Sequence, residues 1–219
     1  MTTFTRIFLN PRKRGARNLL TNPQSMHAAV RSSFPPDIET SESRVLWRVD
    51  HSGDVHTLYI VGPEKPDAGH IIEQAGWDTR PPETASYDRL LDSITRGQKW
   101  RFELTANPVS SKAGERGTRG KLVAHVTAEQ QTQWLRNKGE AHGFTLLDDA
   151  TVIHRDSLGF NQVKGDNRNR ITLASARFSG TLEVADAESL RSTLALGLGR
   201  GRAYGCGLMT LAPVSLASS

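Results

Sequence analysis

The sequence predicts an α+β protein built from two βαββαβ repeats in tandem, with a glycine-rich loop near its C-terminus. Alternating apolar runs at residues 3–9, 45–49, 55–61, 100–104 and 122–126 have the period of strands. Residues 24–34, 67–75, 128–138 and 187–196 carry apolar side chains at helical spacing. The order strand, helix, strand, strand, helix, strand is met once over residues 3–105 and again over residues 122–211, and that order is the ferredoxin-like pattern.

Taken in order, Phe4, Ile7 and Leu9 are the apolar positions of the first strand, and Pro11 ends it. A basic run follows, with Arg12, Lys13, Arg14 and Arg17. Asn22 can cap a helix that has Pro23 in its first turn. Met26, Ala29, Val30 and Phe34 then face inward until Pro35-Pro36 stops the run. Residues 45–49 and 55–61 form a hairpin around a turn at residues 50–54. Residues 67–75 supply the second helix, residues 77–85 read as a proline-rich loop, and residues 87–94 are ambiguous. Trp100, Phe102 and Leu104 mark the strand expected to close the first repeat. Asn107-Pro108 breaks the chain, so the expected domains are residues 1–107 and 108–219. In the second, residues 110–120 form a polar basic segment. Thr127 caps a helix with Trp134 and Leu135 on its core face. Residues 159–169 read as a polar loop, and residues 171–184 as a long strand or a bent pair.

The closing loop sets Gly197, Gly199, Gly201, Gly205 and Gly207 around Arg200, Arg202 and Tyr204. It runs from a helix into a strand. A dinucleotide or P-loop site needs the reverse order, so a nucleotide cofactor is excluded. Glycine lets a backbone approach a ligand closely, and arginines between glycines reach phosphates with little obstruction.

The net charge of +5 and pI of about 9.7 point to an anionic partner. The charge gathers in four places: Arg12 to Arg17; Lys112, Arg116, Arg119 and Lys121; Lys164, Arg168 and Arg170; and Arg200 with Arg202. The one cysteine, Cys206, permits neither an intrachain disulfide nor a thiolate zinc cluster, which fits a reducing cytoplasm. No apolar run reaches membrane-spanning length. Of the seven histidines, His27 stands out, because it follows the basic run on a short helix near Arg31. Asp148-Asp149 and His154 with Asp156 are the nearest approach to a metal set, and both are poor. Adjacent strand residues point to opposite faces, and a lone histidine–aspartate pair lacks a third ligand. The composition therefore favours metal-free chemistry with a histidine and cations. RNA permits it: a base takes the 2′-hydroxyl proton, the oxygen attacks phosphorus, an acid protonates the leaving 5′-oxygen, and cations hold the phosphoryl charge.

The residues 197–213, Gly-Leu-Gly-Arg-Gly-Arg-Ala-Tyr-Gly-Cys-Gly-Leu-Met-Thr-Leu-Ala-Pro, resemble the C-terminal glycine motif of CRISPR-associated RNA-processing proteins, in particular the CasE type. Phe102-Glu103-Leu104-Thr105-Ala106-Asn107-Pro108 resembles that family's middle strand and its stop. Phe178-Ser179-Gly180-Thr181-Leu182 is similar to its penultimate strand, and Asn22-Pro23 with Met26-His27 to its catalytic helix. The resemblance implies tandem ferredoxin-like domains of the RAMP or RRM kind. It also implies a cofactor-free, metal-independent endoribonuclease of the cytoplasm that binds a CRISPR repeat hairpin and cuts precursor RNA at the 3′ base of the stem. The mature RNA stays bound, and the protein joins other subunits of a Cascade complex. His27 falls on the family's catalytic histidine. Where some members have a tyrosine three residues earlier, this chain has Gln24, which can hydrogen-bond RNA but cannot act as acid or base. Arg168 or Arg170 supplies charge at the scissile phosphate, with Arg170 taken as the catalytic cation. Arg12, Lys13, Arg14, Gln24, Arg31, Lys112, Arg116, Arg119, Lys121, Lys164, Arg168, Arg200 and Arg202 are the expected RNA contacts. Two alternatives stay open: a hairpin-binding subunit without catalysis, and a protein-interaction scaffold whose basic charge is incidental.

Overall fold

The computed structural model describes residues 1–38, 44–112, 121–164 and 167–214. In strand β1 (Thr3–Leu9) every second residue is buried, Ile7 and Leu9 most deeply, and this alternation sets one face of the strand on a core. Helix α1 (Arg14–Thr21) and helix α2 (Pro23–Arg31) follow. Strand β2 (Leu46–Ser52) and strand β3 (Val55–Gly62) form the expected hairpin. Helix α3 (Gly69–Ala75) and strand β4 (Glu83–Ser86) complete the first unit. Its antiparallel sheet has the order β2-β3-β1-β4, which is ferredoxin-like topology. Ile7, Leu9, Leu58 and Ile60 meet Ala16, Leu19, Met26, Val30 and Ile71 from the three helices in one core.

After the short helix α4 (Asp88–Ser93), strand β5 (Lys99–Ala106) opens the second sheet. Strand β6 (Val109–Lys112) and strand β7 (Lys121–Ala124) pair only with each other. Helix α5 (Ala128–Gly139), strand β8 (Phe144–Leu146), strand β9 (Thr151–Lys164), strand β10 (Asn167–Val184), helix α6 (Ala187–Leu196) and strand β11 (Met209–Pro213) follow. The sheet order is β11-β5-β10-β8, with β9 also on β10, so the βαββαβ pattern recurs with its second strand split into β8 and β9. Thr127 and Gln130 form a full capping box on α5, and Asp186 caps α6 through Ser189 N–H.

Three sequence expectations are corrected here. The strand at residues 100–104 does not close the first sheet: β5 pairs with β10 and β11, and β4 takes the closing place. The repeat starts at β5 and not at residues 122–126, because β7 belongs to a separate hairpin. The polar residues 159–164 and 167–169 are paired strand and not loop, continuing β9 and β10. The basic run is also partly helical, in α1.

The second core holds Phe102, Leu104, Phe178, Leu182, Leu190 and Leu194, and it also takes in Leu46 and Val61 from the first sheet. The two sheets are joined more tightly still by Arg48. This β2 residue is 2% exposed and uses all five guanidinium donors. Nε and one Nη hold Asp50 bidentately at 2.7 and 2.8 Å. The other donors reach the carbonyls of Glu103 and Leu208 at 2.7 and 2.9 Å, and Thr210 Oγ1 at 2.9 Å. Arg177 on β10 pairs with both Asp50 and Glu103, closing the network.

Candidate active site

Helix α2 begins because Asn22 Oδ1 accepts from the N–H groups of Gln24 (3.0 Å) and Ser25 (3.3 Å), and Pro23 needs no donor partner in the first turn. Pro23, Met26 and Val30 are buried, which turns the other side of the helix outward. Gln24, His27 and Arg31 lie three and four residues apart, so they share a helix side, and all three are half-buried. At the helix end His70 of α3 lies 2.9 Å from the Ala29 carbonyl and 3.1 Å from Ser32 Oγ. Arg31 donates to the Pro36 carbonyl at 3.2 Å.

The glycine stretch braces the same helix. It ends α6 at Gly197 and makes a single helical turn, Arg202–Tyr204, that packs on α2. Gly201 and Gly205 flank the turn in the left-handed region, with φ of 77° and 80°. A Cβ on Gly205 would stand 2.7 Å from the Trp47 ring, so only glycine allows the turn to sit there. Leu198 N–H bonds the Gly207 carbonyl, and Gly207 N–H bonds the Thr105 carbonyl, at 2.9 and 2.7 Å. The loop is thus a fixed wedge between α2, β2 and the second sheet. Cys206 within it is buried, and burial pushes its thiol up to about 12.

Between the sheets lies a cleft of about 660 Å³, bordered by Pro23 of α2, Trp47, His51, His154, Arg177 and Tyr204. His51 and His56 face each other at its rim, their Nδ1 atoms 2.6 Å apart.

The structure brings only some of the expected contacts together. Arg12 and Arg14 are exposed at the start of α1, whereas Lys13 is already held by Asp78 at 2.9 Å. Arg200 is exposed on the glycine wedge and Arg202 is half-buried. Lys164, Arg168 and Arg170 sit on the β9–β10 hairpin, where Arg168 pairs with Val163 and Arg170 with Asn161; their side chains, with those of Lys112 and Lys121, lie outside the described set. Arg116 and Arg119 lie outside the described residues. Asp149 is spent on Thr181, and among the described residues no three histidine, cysteine, aspartate or glutamate side chains are grouped to hold a metal ion. Two features escaped the sequence reading: the bracing of α2 by His70 and by the Arg202–Tyr204 turn, and the Arg48 network. The second had a visible signal, a lone arginine inside the apolar strand run Leu46-Trp47-Arg48-Val49.

Comparison with known proteins places these features. The chain is 29% identical over 218 residues to the CRISPR-associated endoribonuclease Cse3 of Thermus thermophilus, covering 95% of this chain and 99% of the relative. The solved structure of Thermus thermophilus Cse3 bound to an RNA representing a pre-cleavage complex matches with a TM-score of 0.78 at 29% identity, over 97% of this chain and 99% of the other. Cas6e of Escherichia coli K-12 shares the fold, with a TM-score of 0.57 at 19% identity over 98% and 100% of the two chains. The family model described as CRISPR associated protein matches residues 4–213, so the chain belongs to the CRISPR-associated protein family.

Proposed function

We propose that the protein is an endoribonuclease that binds the hairpin of a CRISPR repeat transcript and cuts the precursor at the 3′ base of the stem. The near full-length likeness to an RNA-bound CRISPR endoribonuclease carries this reading. The placement of His27 between Gln24 and Arg31 on the outer side of a doubly braced helix supports it. His27 acts as general acid or base. A proton leaves the 2′-hydroxyl, its oxygen bonds to phosphorus, the bond to the 5′-oxygen breaks, and that oxygen takes up a proton. The products are a 2′,3′-cyclic phosphate and a 5′-hydroxyl, and no metal is needed. Arg170 stabilises the charge on the phosphoryl oxygens. Gln24 hydrogen-bonds the RNA. Exposed Arg12 and Arg14 grip stem phosphates, as do the basic residues of the β6–β7 and β9–β10 hairpins. The product stays bound, and the protein serves in the cytoplasm as a Cascade subunit.

Gln24 favours one second reading, a hairpin-binding subunit without catalysis, since its amide cannot serve as acid or base at ordinary pH. Cleavage of the host's own repeat RNA in excess EDTA separates the two. Wild type is expected to cut, His27→Ala to be slower by about 10²–10⁴-fold, and a 2′-deoxy substitution at the scissile nucleotide to block the reaction. Tight binding with no cleavage by wild type would favour the second reading. Equal rates for wild type and His27→Ala would overturn the assignment of His27.

A further inference from the structure

Along α6 runs a second groove, of about 510 Å³, that the catalytic reading leaves unused. His142, Ser192, Thr193 and Arg202 line it, together with two carboxylates from the start of α6, Asp186 and Glu188. Arg202 belongs to the turn that packs on α2, so the groove starts beside the helix that bears His27.

Two side chains in the groove are built like ligands awaiting an anion. The Thr193 hydroxyl, itself buried, donates to the His142 carbonyl at 3.3 Å and therefore accepts from His142 Nδ1–H at 2.8 Å. This pins the imidazole and leaves Nε2 without a partner among the described residues. The Nε of Arg202 is buried and likewise has no partner among the described residues. Neither residue takes part in a described ion pair. The charges that bear on the two groups are cations: Arg44 acts on Arg202, and Lys138 with Arg202 acts on His142. A half-buried guanidinium among like charges is costly unless an anion completes it. The two carboxylates of the groove sit at the start of α6, where Asp186 is occupied as the helix cap and Glu188 is exposed.

We propose that this groove is a phosphate subsite for the RNA strand at the cut, in which Arg202 and His142 hold a backbone phosphate next to the scissile one. The idea rests on the endoribonuclease reading and deepens it. Arg202 would offer Nε and Nη together to one phosphate, the bidentate geometry a lysine cannot reproduce. His142, on taking up a proton, would add an Nε2–H bond, and Ser189 and Ser192 supply further donors. The competing account makes Arg202 a counter-charge for the carbonyl end of α6, which stops at Gly197.

The test measures binding and not cleavage, so it does not depend on His27. A fluorescein-labelled repeat RNA, 2′-deoxy at the scissile nucleotide, is titrated by anisotropy from about 50 to about 300 mM KCl. Wild type is compared with Arg202→Gln, Arg202→Lys and His142→Asn. For Arg202→Gln the expected result is about tenfold weaker binding and a salt slope reduced by about 1. Arg202→Lys should keep the slope and lose part of the affinity, and His142→Asn should weaken binding less than Arg202→Gln. Single methylphosphonates scanned through the strand should weaken wild type at a phosphate beside the cut, with no further loss there in Arg202→Gln. A lower melting temperature for Arg202→Gln with unchanged affinity and slope would overturn the subsite and leave Arg202 as a helix counter-charge. Failure of wild type to bind any repeat hairpin would overturn the parent reading as well.

Discussion

At the scale of single residues, His142 shows how a half-buried imidazole couples fold and ligand. Burial holds it below the ordinary histidine value of 6.5, and the charges of Lys138 and Arg202 add to the effect. The unfolded chain therefore takes up this proton first as pH falls. The stability contributed by neutral His142 is fully present above about 6.5 and is lost as pH falls from there through the lower value of the folded state. Without RNA, the melting temperature should drop between about pH 7.5 and 5.5, and His142→Asn should shrink that drop; calorimetry showing an identical drop in the variant would refute the link. A phosphate in the α6 groove would reverse the sign by favouring the imidazolium, so RNA affinity should tighten over the same interval and tighten less in His142→Asn.

At the scale of elements, α2 depends on a local device and a distant one. Removing the cap with Asn22→Ala should cost about 0.5–2 kcal/mol in urea unfolding, and it should slow cleavage because Gln24 and His27 lie in the first turns. Gly205→Ala tests the distant brace. A methyl group there meets the Trp47 ring and a positive φ, so more than about 1 kcal/mol should be lost, and cleavage should slow with hairpin affinity less affected. Unchanged cleavage in Gly205→Ala would mean that the wedge does not position α2. The sequence exposed the start of α2, since cap, proline and apolar spacing agree, but it carried the helix to Phe34, whereas α2 ends at Arg31. It concealed α1, which buries Ala16 and Leu19 and packs Leu20 beside them among polar and charged neighbours. It concealed β4 as well, four residues that alternate between half-buried and exposed without a large apolar side chain. The alternation of β5 was plain, but alternation reveals a face and not a neighbour, so its sheet could not be read. The outer parts of β9 and β10 pair through the backbone, and ladder hydrogen bonds leave no trace in side-chain pattern. His27 was legible from its helix, whereas the contacts of His70 and Tyr204 with that helix come from chain pairings that no local pattern encodes.

At the scale of the whole molecule, we take the two sheets as two domains that divide between β4 and β5, and Arg48 is the residue that joins them. Arg48→Ala would leave Asp50 without its bidentate partner and would take a donor from the Glu103 and Leu208 carbonyls. The expected loss is about 3–5 kcal/mol in urea unfolding, and a loss below about 1 kcal/mol would show that the shared apolar core alone holds the sheets. Arg48→Lys should recover little of it, because an ammonium cannot fill a fork of five donors.

The buried thiol of the glycine wedge has a practical consequence. Cys206 is the one sulfhydryl in the chain, and it is 1% exposed at the seam between the sheets. With its thiol pushed up to about 12, hardly any thiolate exists at neutral pH while the wedge is seated. Its reaction with an aromatic disulfide reagent is therefore a clock for how often the wedge lifts from Trp47 and the seam opens. A stopwatch of this kind needs no added label, and it reads the motion of the segment that braces the catalytic helix. Hairpin RNA should slow the clock if it clamps both sheets, and Arg48→Ala should quicken it.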